Sequence, residues 1–148
     1  MTVGISTDHD KGLVAVIATG GTIASQRDET GAAKPSLSGE NLLSGLGGEV
    51  SLKPVELMAK DSSSLTMSDM QAISNAVAKE LADPEVRGVV VLHGTDAMEE
   101  TSLLVHLQHS LSKPVVFTGA QFTADNPQPD GPGTLRAAIA AAGNPSNV

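Results

Sequence analysis

The chain has no cysteine, no tryptophan and no tyrosine, and it carries two phenylalanines in 148 residues. Without cysteine, disulfides, thiolate catalysis and thiolate-held metals are excluded. Without large aromatics, the core must be aliphatic, built from Val, Leu, Ile, Ala and Met. Positive charge is also scarce. Nine Lys and Arg stand against seventeen Asp and Glu, for a net charge of -8. Binding to a phosphate backbone needs clustered Lys and Arg, so nucleic acid partners are disfavoured, and anionic membrane surfaces for the same reason. No apolar run reaches the roughly 20 residues needed to cross a bilayer. The first ten residues, MTVGISTDHD, carry acid where a signal peptide carries base, and they include no long apolar region. A cytoplasmic location is the expectation. The four histidines (His9, His93, His106, His109) show no ligand-like grouping, and no metal is expected. His106 and His109 would share a helix face and read as a solvated helix end.

What is present reads as one globular domain: 40% of residues are hydrophobic and 18% charged, within the range of folded chains. Residues 1–12 form a polar leader, and residues 13–148 the domain. Leu13 to Ala18 is a short continuous apolar run, read as a strand buried on both faces. It ends at Thr19-Gly20-Gly21-Thr22. From Ser25 to Gly39 the chain is polar and punctuated by Gly31, Pro35 and Gly39, which predicts a long loop or a loose hairpin and no helix. Val55 to Ala59 is a second strand, running into Asp61-Ser62-Ser63-Ser64. Ser68 to Leu81 reads as a helix, with Ser68 and Gln71 at capping-box spacing and an apolar stripe of Met70, Ile73, Val77 and Leu81. Asp83-Pro84 stops it. Gly88 to Leu92 is the strongest strand signal and leads into His93-Gly94-Thr95-Asp96. A helix then runs to about Ser110, with Leu104, Leu107 and Leu111 on one side. Pro114 to Phe117 is another buried strand, followed by Thr118-Gly119-Ala120. Thr134 to Ala142 is a last helix, cut off at Gly143.

Alternating strands and helices predict an α/β domain, a mostly parallel sheet with helices on both faces. Ligands in such sheets sit outside the carboxyl ends of the strands. The polar clusters fall there, after Ala18, Ala59, Leu92 and Phe117. In the first cluster, two glycines allow close backbone approach and positive φ, and the Thr22 hydroxyl follows them. A plain tight turn and a functional hydroxyl both fit. A dinucleotide-binding turn fits less well, because the Gly-x-Gly-x-x-Gly spacing and a following helix are missing. In the third cluster, Asp96 with Glu99 has the spacing of a helix cap. The same carboxylate at a strand end would suit a ligand ammonium, and neighbouring N–H groups an oxyanion. The serines of the second cluster suit a ligand carboxylate or an ordinary polar turn.

Ala18-Thr19-Gly20-Gly21-Thr22-Ile23-Ala24 and Leu92-His93-Gly94-Thr95-Asp96-Ala97-Met98-Glu99-Glu100-Thr101, in this order and each after a buried strand, resemble two signature segments of the asparaginase family. Lys113-Pro114-Val115-Val116-Phe117-Thr118-Gly119-Ala120 and Asp130-Gly131-Pro132 resemble it too. The resemblance extends from about residue 13 to residue 142. It implies a Rossmann-like, flavodoxin-like N-terminal domain and hydrolysis of L-asparagine to L-aspartate and ammonia. Thr22 would be the nucleophile, passing through a β-aspartyl-enzyme. Thr95 would belong to a second hydroxyl–carboxylate–amine group, and Asp96 would bind the substrate α-ammonium. Gly21, Asp61, Ser62 and Ser63 would lie against the substrate. No cofactor is implied. The partners implied are the small substrate (asparagine, or glutamine with one more methylene) and further copies of the chain in a homo-oligomer.

Three departures accompany the resemblance. The family's loop Tyr has no match, the corresponding stretch being Glu29 to Pro35, where Lys34 offers a polar substitute. The family's catalytic Lys has no match by motif. The family's smaller C-terminal domain is not in this sequence. A truncated chain of doubtful activity is therefore expected, with a non-catalytic binder of acidic amino acids as the alternative. A doubly wound nucleotide-binding domain is a third reading.

Overall fold

The structure, a computed structural model, describes residues 12–44, 46, 50–144 and 146. All of the expected leader except Gly12 lies outside the described residues. Among the described residues, six strands and four helices follow in the order β1 (Leu13–Gly20), β2 (Ser25–Arg27), β3 (Ala33–Pro35), α1 (Gly39–Leu43), β4 (Ser51–Lys60), α2 (Met67–Ala82), β5 (Val86–Leu92), α3 (Met98–Gln108), β6 (Val115–Thr118) and α4 (Gly131–Ala142). Strands β4, β1, β5 and β6 form one sheet in that order, and every pair in it is parallel. The α/β architecture expected from the sequence is therefore present.

Period-two alternation explains the continuous apolar runs. Val14, Val16, Ala18, Val90 and Leu92 face α4, packing with Leu135, Ala138 and Ala142. Ala15, Ile17, Val89 and Val91 face the other way, packing with Ile73 and Val77 of α2 and Val105 of α3. Each central strand thus buries both its faces between helices. The polar stretch after β1 is a hairpin, with β2 and β3 antiparallel.

Several elements differ from expectation in informative ways. Strand β4 begins at Ser51 and includes Pro54, which is tolerated because β4 is an edge of the described sheet. Helix α1 adds to the expected elements. It is one short turn, capped by Ser38, whose hydroxyl accepts the Asn41 N–H, and held to β4 by a bond from Gly39 N–H to the Glu56 carboxylate. Helix α2 starts at Met67, and its capping box is Thr66 with Asp69, not Ser68 with Gln71. The Asp69 carboxylate accepts the Thr66 N–H at 2.9 Å, while Gln71 exchanges amide bonds with Gln108 of α3 at 3.1 and 2.7 Å.

The Asp96–Glu99 capping box does not form. Residues Thr95–Ala97 make a 3-10 turn, and Ala97 precedes α3 without any side-chain cap. The expected leucine stripe of α3 is also corrected. Leu107 is 74% exposed, about a third of a turn from the face that Ala97, Thr101 and Val105 present at four-residue spacing. Strand β6 begins one residue later than expected and is half-buried from Val115 to Phe117, because among the described strands it pairs with β5 alone. Among the described residues, no helix is long and apolar enough to cross a membrane.

Candidate active site

In a parallel sheet every strand delivers its C-terminal turn to the same edge. Four turns meet there. The first follows β1. Gly20 and Gly21 both have positive φ, 106° and 79°. Gly21, with ψ of -179°, occupies a region essentially restricted to glycine. Its N–H donates to the Lys60 carbonyl of β4 at 3.1 Å, and its carbonyl accepts the Ser25 hydroxyl at 2.7 Å. Thr19 donates its hydroxyl to the Leu92 carbonyl of β5 at 2.6 Å. The turn is therefore tied to the strands on both sides of β1.

The second and third turns interlock with it. A methyl group added at Gly21 would lie 2.5 Å from the Gly94 nitrogen and 2.7 Å from its Cα. The two backbones touch, and Thr22 and Thr95 are the next residues of each. A methyl at Gly94 would in turn overlap the Ser62 side chain. The Ser62 hydroxyl, buried, accepts the Asp96 N–H at 3.1 Å. That bond takes the place of a helix cap and holds 95–97 as a tight turn. A methyl at Gly119, after β6, would lie 2.7 Å from the His93 carbonyl and 3.4 Å from Thr95 Cγ2.

Among the residues singled out from the sequence, Gly21, Ser62, Gly94, Thr95 and Asp96 are brought into one contiguous cluster. Thr22 is half-buried, and Thr95 and Asp96 are exposed. Asp61 and Ser63 are exposed at the rim, the Asp61 carboxylate accepting the Ser63 N–H at 3.3 Å. Lys34 lies elsewhere, in an ion pair with Asp28 at 2.7 Å within the hairpin, its side chain 70% exposed. Asp28 raises the Lys34 pKa, so the ammonium keeps its proton and is no base. The turn after β1 runs into a 3-10 turn, Thr22–Ala24, and the hairpin. It opens no helix, as a dinucleotide-binding turn does.

Three residues escaped the sequence reading. His93 is fully buried, with Nδ1 2.6 Å from the Gly94 carbonyl oxygen and Nε2 2.9 Å from Thr101 Oγ1. Burial pushes its pKa down, against the opposing pull of the Gly94 carbonyl and the Glu100 charge. Thr101 Oγ1 also lies 3.0 Å from the Ala97 carbonyl oxygen. Asp130 accepts the Gln121 and Phe122 N–H groups at 2.8 and 3.0 Å, which shape the turn after β6 and lower its pKa. The available signal was the position of His93 and Thr101 within one motif, eight residues apart, on a strand end and the helix behind it. His106 is exposed at the end of α3, whereas His109 contacts the buried Ser74 hydroxyl at 2.8 Å.

Comparison with known proteins agrees with this architecture. Residues 13–148 match the family model described as asparaginase, N-terminal. The chain is 40% identical over 136 residues to one of the subunits of the glutamyl-tRNA(Gln) amidotransferase of Thermoplasma acidophilum, covering 88% of this chain and 32% of the relative. It is 33% identical over 142 residues to the probable L-asparaginase 4 of Schizosaccharomyces pombe, covering 87% and 38%. Among solved structures, the thermostable L-asparaginase from Thermococcus kodakarensis superposes with a TM-score of 0.78 at 29% identity, over 88% of this chain and 40% of that one. The chain thus spans about a third of the length of these curated relatives. Since the matched region includes the whole described sheet and all four of its C-terminal turns, the chain belongs to the asparaginase family, in the part that forms its N-terminal domain.

Proposed function

We propose that this chain carries the nucleophile-bearing part of an amidohydrolase site, with L-asparagine as substrate and L-aspartate and ammonia as products. The observation that carries the reading is the backbone contact of Gly21 with Gly94, which brings the chain positions of Thr22 and Thr95 to adjacent turns at one sheet edge. Among the described residues, neither threonine hydroxyl is consumed by a structural hydrogen bond, unlike those of Thr19 and Thr101.

The Thr22 oxygen attacks the carboxamide carbon and loses its proton. The C–N bond breaks, the nitrogen leaves as ammonia after gaining a proton, and an ester to Thr22 remains. Water cleaves that ester, releasing aspartate and restoring the hydroxyl. Asp96, an exposed carboxylate at the site, receives the substrate ammonium. Ser63 and the rim around Asp61 face the substrate carboxylate. Ser62 acts through the Asp96 N–H, and the backbone N–H of Thr95 is the candidate oxyanion donor. No Lys of this chain matches the family's base by motif. Turnover by the 148-residue chain is therefore expected to be slower by roughly 10²–10⁴ than that of an enzyme with the base in place. The reading also carries a cytoplasmic location and self-association into a homo-oligomer.

The identity to a protein named as part of an amidotransferase favours a second reading. The same amide cleavage would then serve an amidotransferase in which this chain is one component. The two differ in what accepts the nitrogen.

Incubation with asparagine or glutamine, followed by mass spectrometry, tests the common core. A mass increase of an aspartyl or glutamyl ester on Thr22, lost in Thr22→Ala, is the expected result. An acyl group on another residue, or equal ammonia release by Thr22→Ala, would overturn it. Free ammonia as the product favours the first reading, and dependence on an added partner protein the second.

A further inference from the structure

His93 is a buried ring that the proposed chemistry does not use, and both of its nitrogens are engaged. The partner of Nδ1 is the Gly94 carbonyl oxygen at 2.6 Å. A carbonyl accepts and cannot donate, so Nδ1 carries the hydrogen. Burial disfavours the charged ring, which leaves Nε2 bare as an acceptor. The hydroxyl of Thr101, 2.9 Å away, faces that acceptor and also donates to the Ala97 carbonyl at 3.0 Å, so its one proton is shared between the two. The protein therefore selects one tautomer, and Thr101, fully buried on α3, holds the ring from behind.

The acceptor is what gives this arrangement a consequence. The Gly94 carbonyl and the Thr95 N–H belong to a single peptide unit, planar and trans. In such a unit the C=O and N–H bonds point in opposite directions. Drawing the oxygen inward to His93 turns the Thr95 N–H outward, away from the core. Among the described residues no group accepts that N–H. The Cα end of this peptide is hemmed in, with Gly21 against the Gly94 nitrogen and Cα and Ser62 on another side.

We propose that His93, as its Nδ1–H tautomer braced by Thr101, is a positioning residue that aims the Thr95 N–H at the substrate. This rests on the proposed function for what the N–H meets, though not for how it is held.

Asparagine and glutamine side chains separate the two ring nitrogens. The amide nitrogen of His93→Asn can occupy the Nδ1 place and keep the bond to Gly94, whereas His93→Gln reaches the Nε2 place and leaves that carbonyl unpartnered. NMR of the 148-residue chain reads three quantities: the ring nitrogen shifts of His93, the Thr95 amide shift, and its response to added aspartate. The expected results are a neutral ring protonated on Nδ1 and a Thr95 amide that His93→Asn leaves near its wild-type position and His93→Gln displaces. Aspartate affinity should fall roughly tenfold or more in His93→Gln, the order expected for losing one hydrogen bond to a charged group. An Nε2–H tautomer in the wild type, or equal displacement of the Thr95 amide by both substitutions, would overturn the proposal. If His93→Gln does not fold, the wild-type tautomer and His93→Asn decide it. Aspartate that leaves the wild-type spectrum unchanged counts against the proposed function, and the tautomer and the two variants still judge His93.

Discussion

Gly21 and Gly94 lie backbone against backbone, so close that a methyl group on Gly21 would come within 2.5 Å of the Gly94 nitrogen. The contact joins the turns after β1 and β5, and the proposed site depends on it. Gly21→Ala meets two obstacles, a positive φ of 79° and the occupied space. Backbone strain of about 1–3 kcal/mol and overpacking of about 1–3 kcal/mol predict a loss of about 2–6 kcal/mol in urea unfolding. Gly31 has a similar φ of 82° with nothing within 4 Å of an added methyl. Its change to Ala should cost about 1–2 kcal/mol. Equal losses at the two glycines would show that the contact has no energetic weight.

Ser62 joins the turn after β4 to the turn after β5 through the Asp96 N–H at 3.1 Å. Ser62→Ala leaves that N–H without its partner, at a cost of about 1–3 kcal/mol. The 95–97 turn should loosen as well. Faster amide exchange at Asp96 in this variant, with the helices unchanged, is the expected signature. Exchange as slow as in the wild type would remove Ser62 from this role.

The start of α2 is decided by Thr66 with Asp69. Thr66→Ala should destabilise the chain by about 1 kcal/mol, the usual worth of an N-cap. Ser68→Ala, already inside the helix, should change stability by no more than about 0.5 kcal/mol. Chemical denaturation of both variants measures the difference, and a larger effect at Ser68 would restore the cap to that residue.

Acid should destabilise the fold in two stages. The Lys60 ammonium, then the Thr66 N–H and hydroxyl, pull Asp69 down to about 2. A depressed carboxylate contributes stability that is full above its ordinary value of roughly 3.9 and is lost as pH falls through the folded value. His93 is depressed by burial. Below its ordinary value of roughly 6.5 the unfolded chain takes up a proton that the native chain resists, so stability again falls with pH. Urea midpoints at about pH 8 and about pH 5.5 isolate the second stage, since Asp69 remains ionised at both. His93→Asn should flatten the change between them. An unaltered slope in that variant would assign the loss to other groups.

How much of this was legible in advance varies by element. The two-sided apolar runs at Leu13–Ala18 and Gly88–Leu92 marked central parallel strands without ambiguity. The hairpin after β1 was legible from its glycines and proline. The start of α2 was not, because Thr66 and Ser68 are both good caps; in the structure Asp69 completes the box with Thr66, and Gln71 pairs with Gln108 of α3. The Asp96–Glu99 spacing misled for a similar reason, since Ser62, 34 residues away in sequence, captured the Asp96 N–H. His93 was seen as one of four scattered histidines because its partners became meaningful only when α3 folded back over β5.

The order of apolar and polar segments alone determined the class of fold, the sheet edge that carries the polar turns and the residue types available there. These follow from local periodicity, which needs no knowledge of what packs where. The tertiary structure decided which hydroxyls are spent on the scaffold, as at Thr19, Ser62 and Thr101, and which have no hydrogen-bond partner among the described residues, as at Thr22 and Thr95. A hydrogen bond between residues far apart in sequence exists only once both strand ends are in place, and no pattern along the chain encodes it.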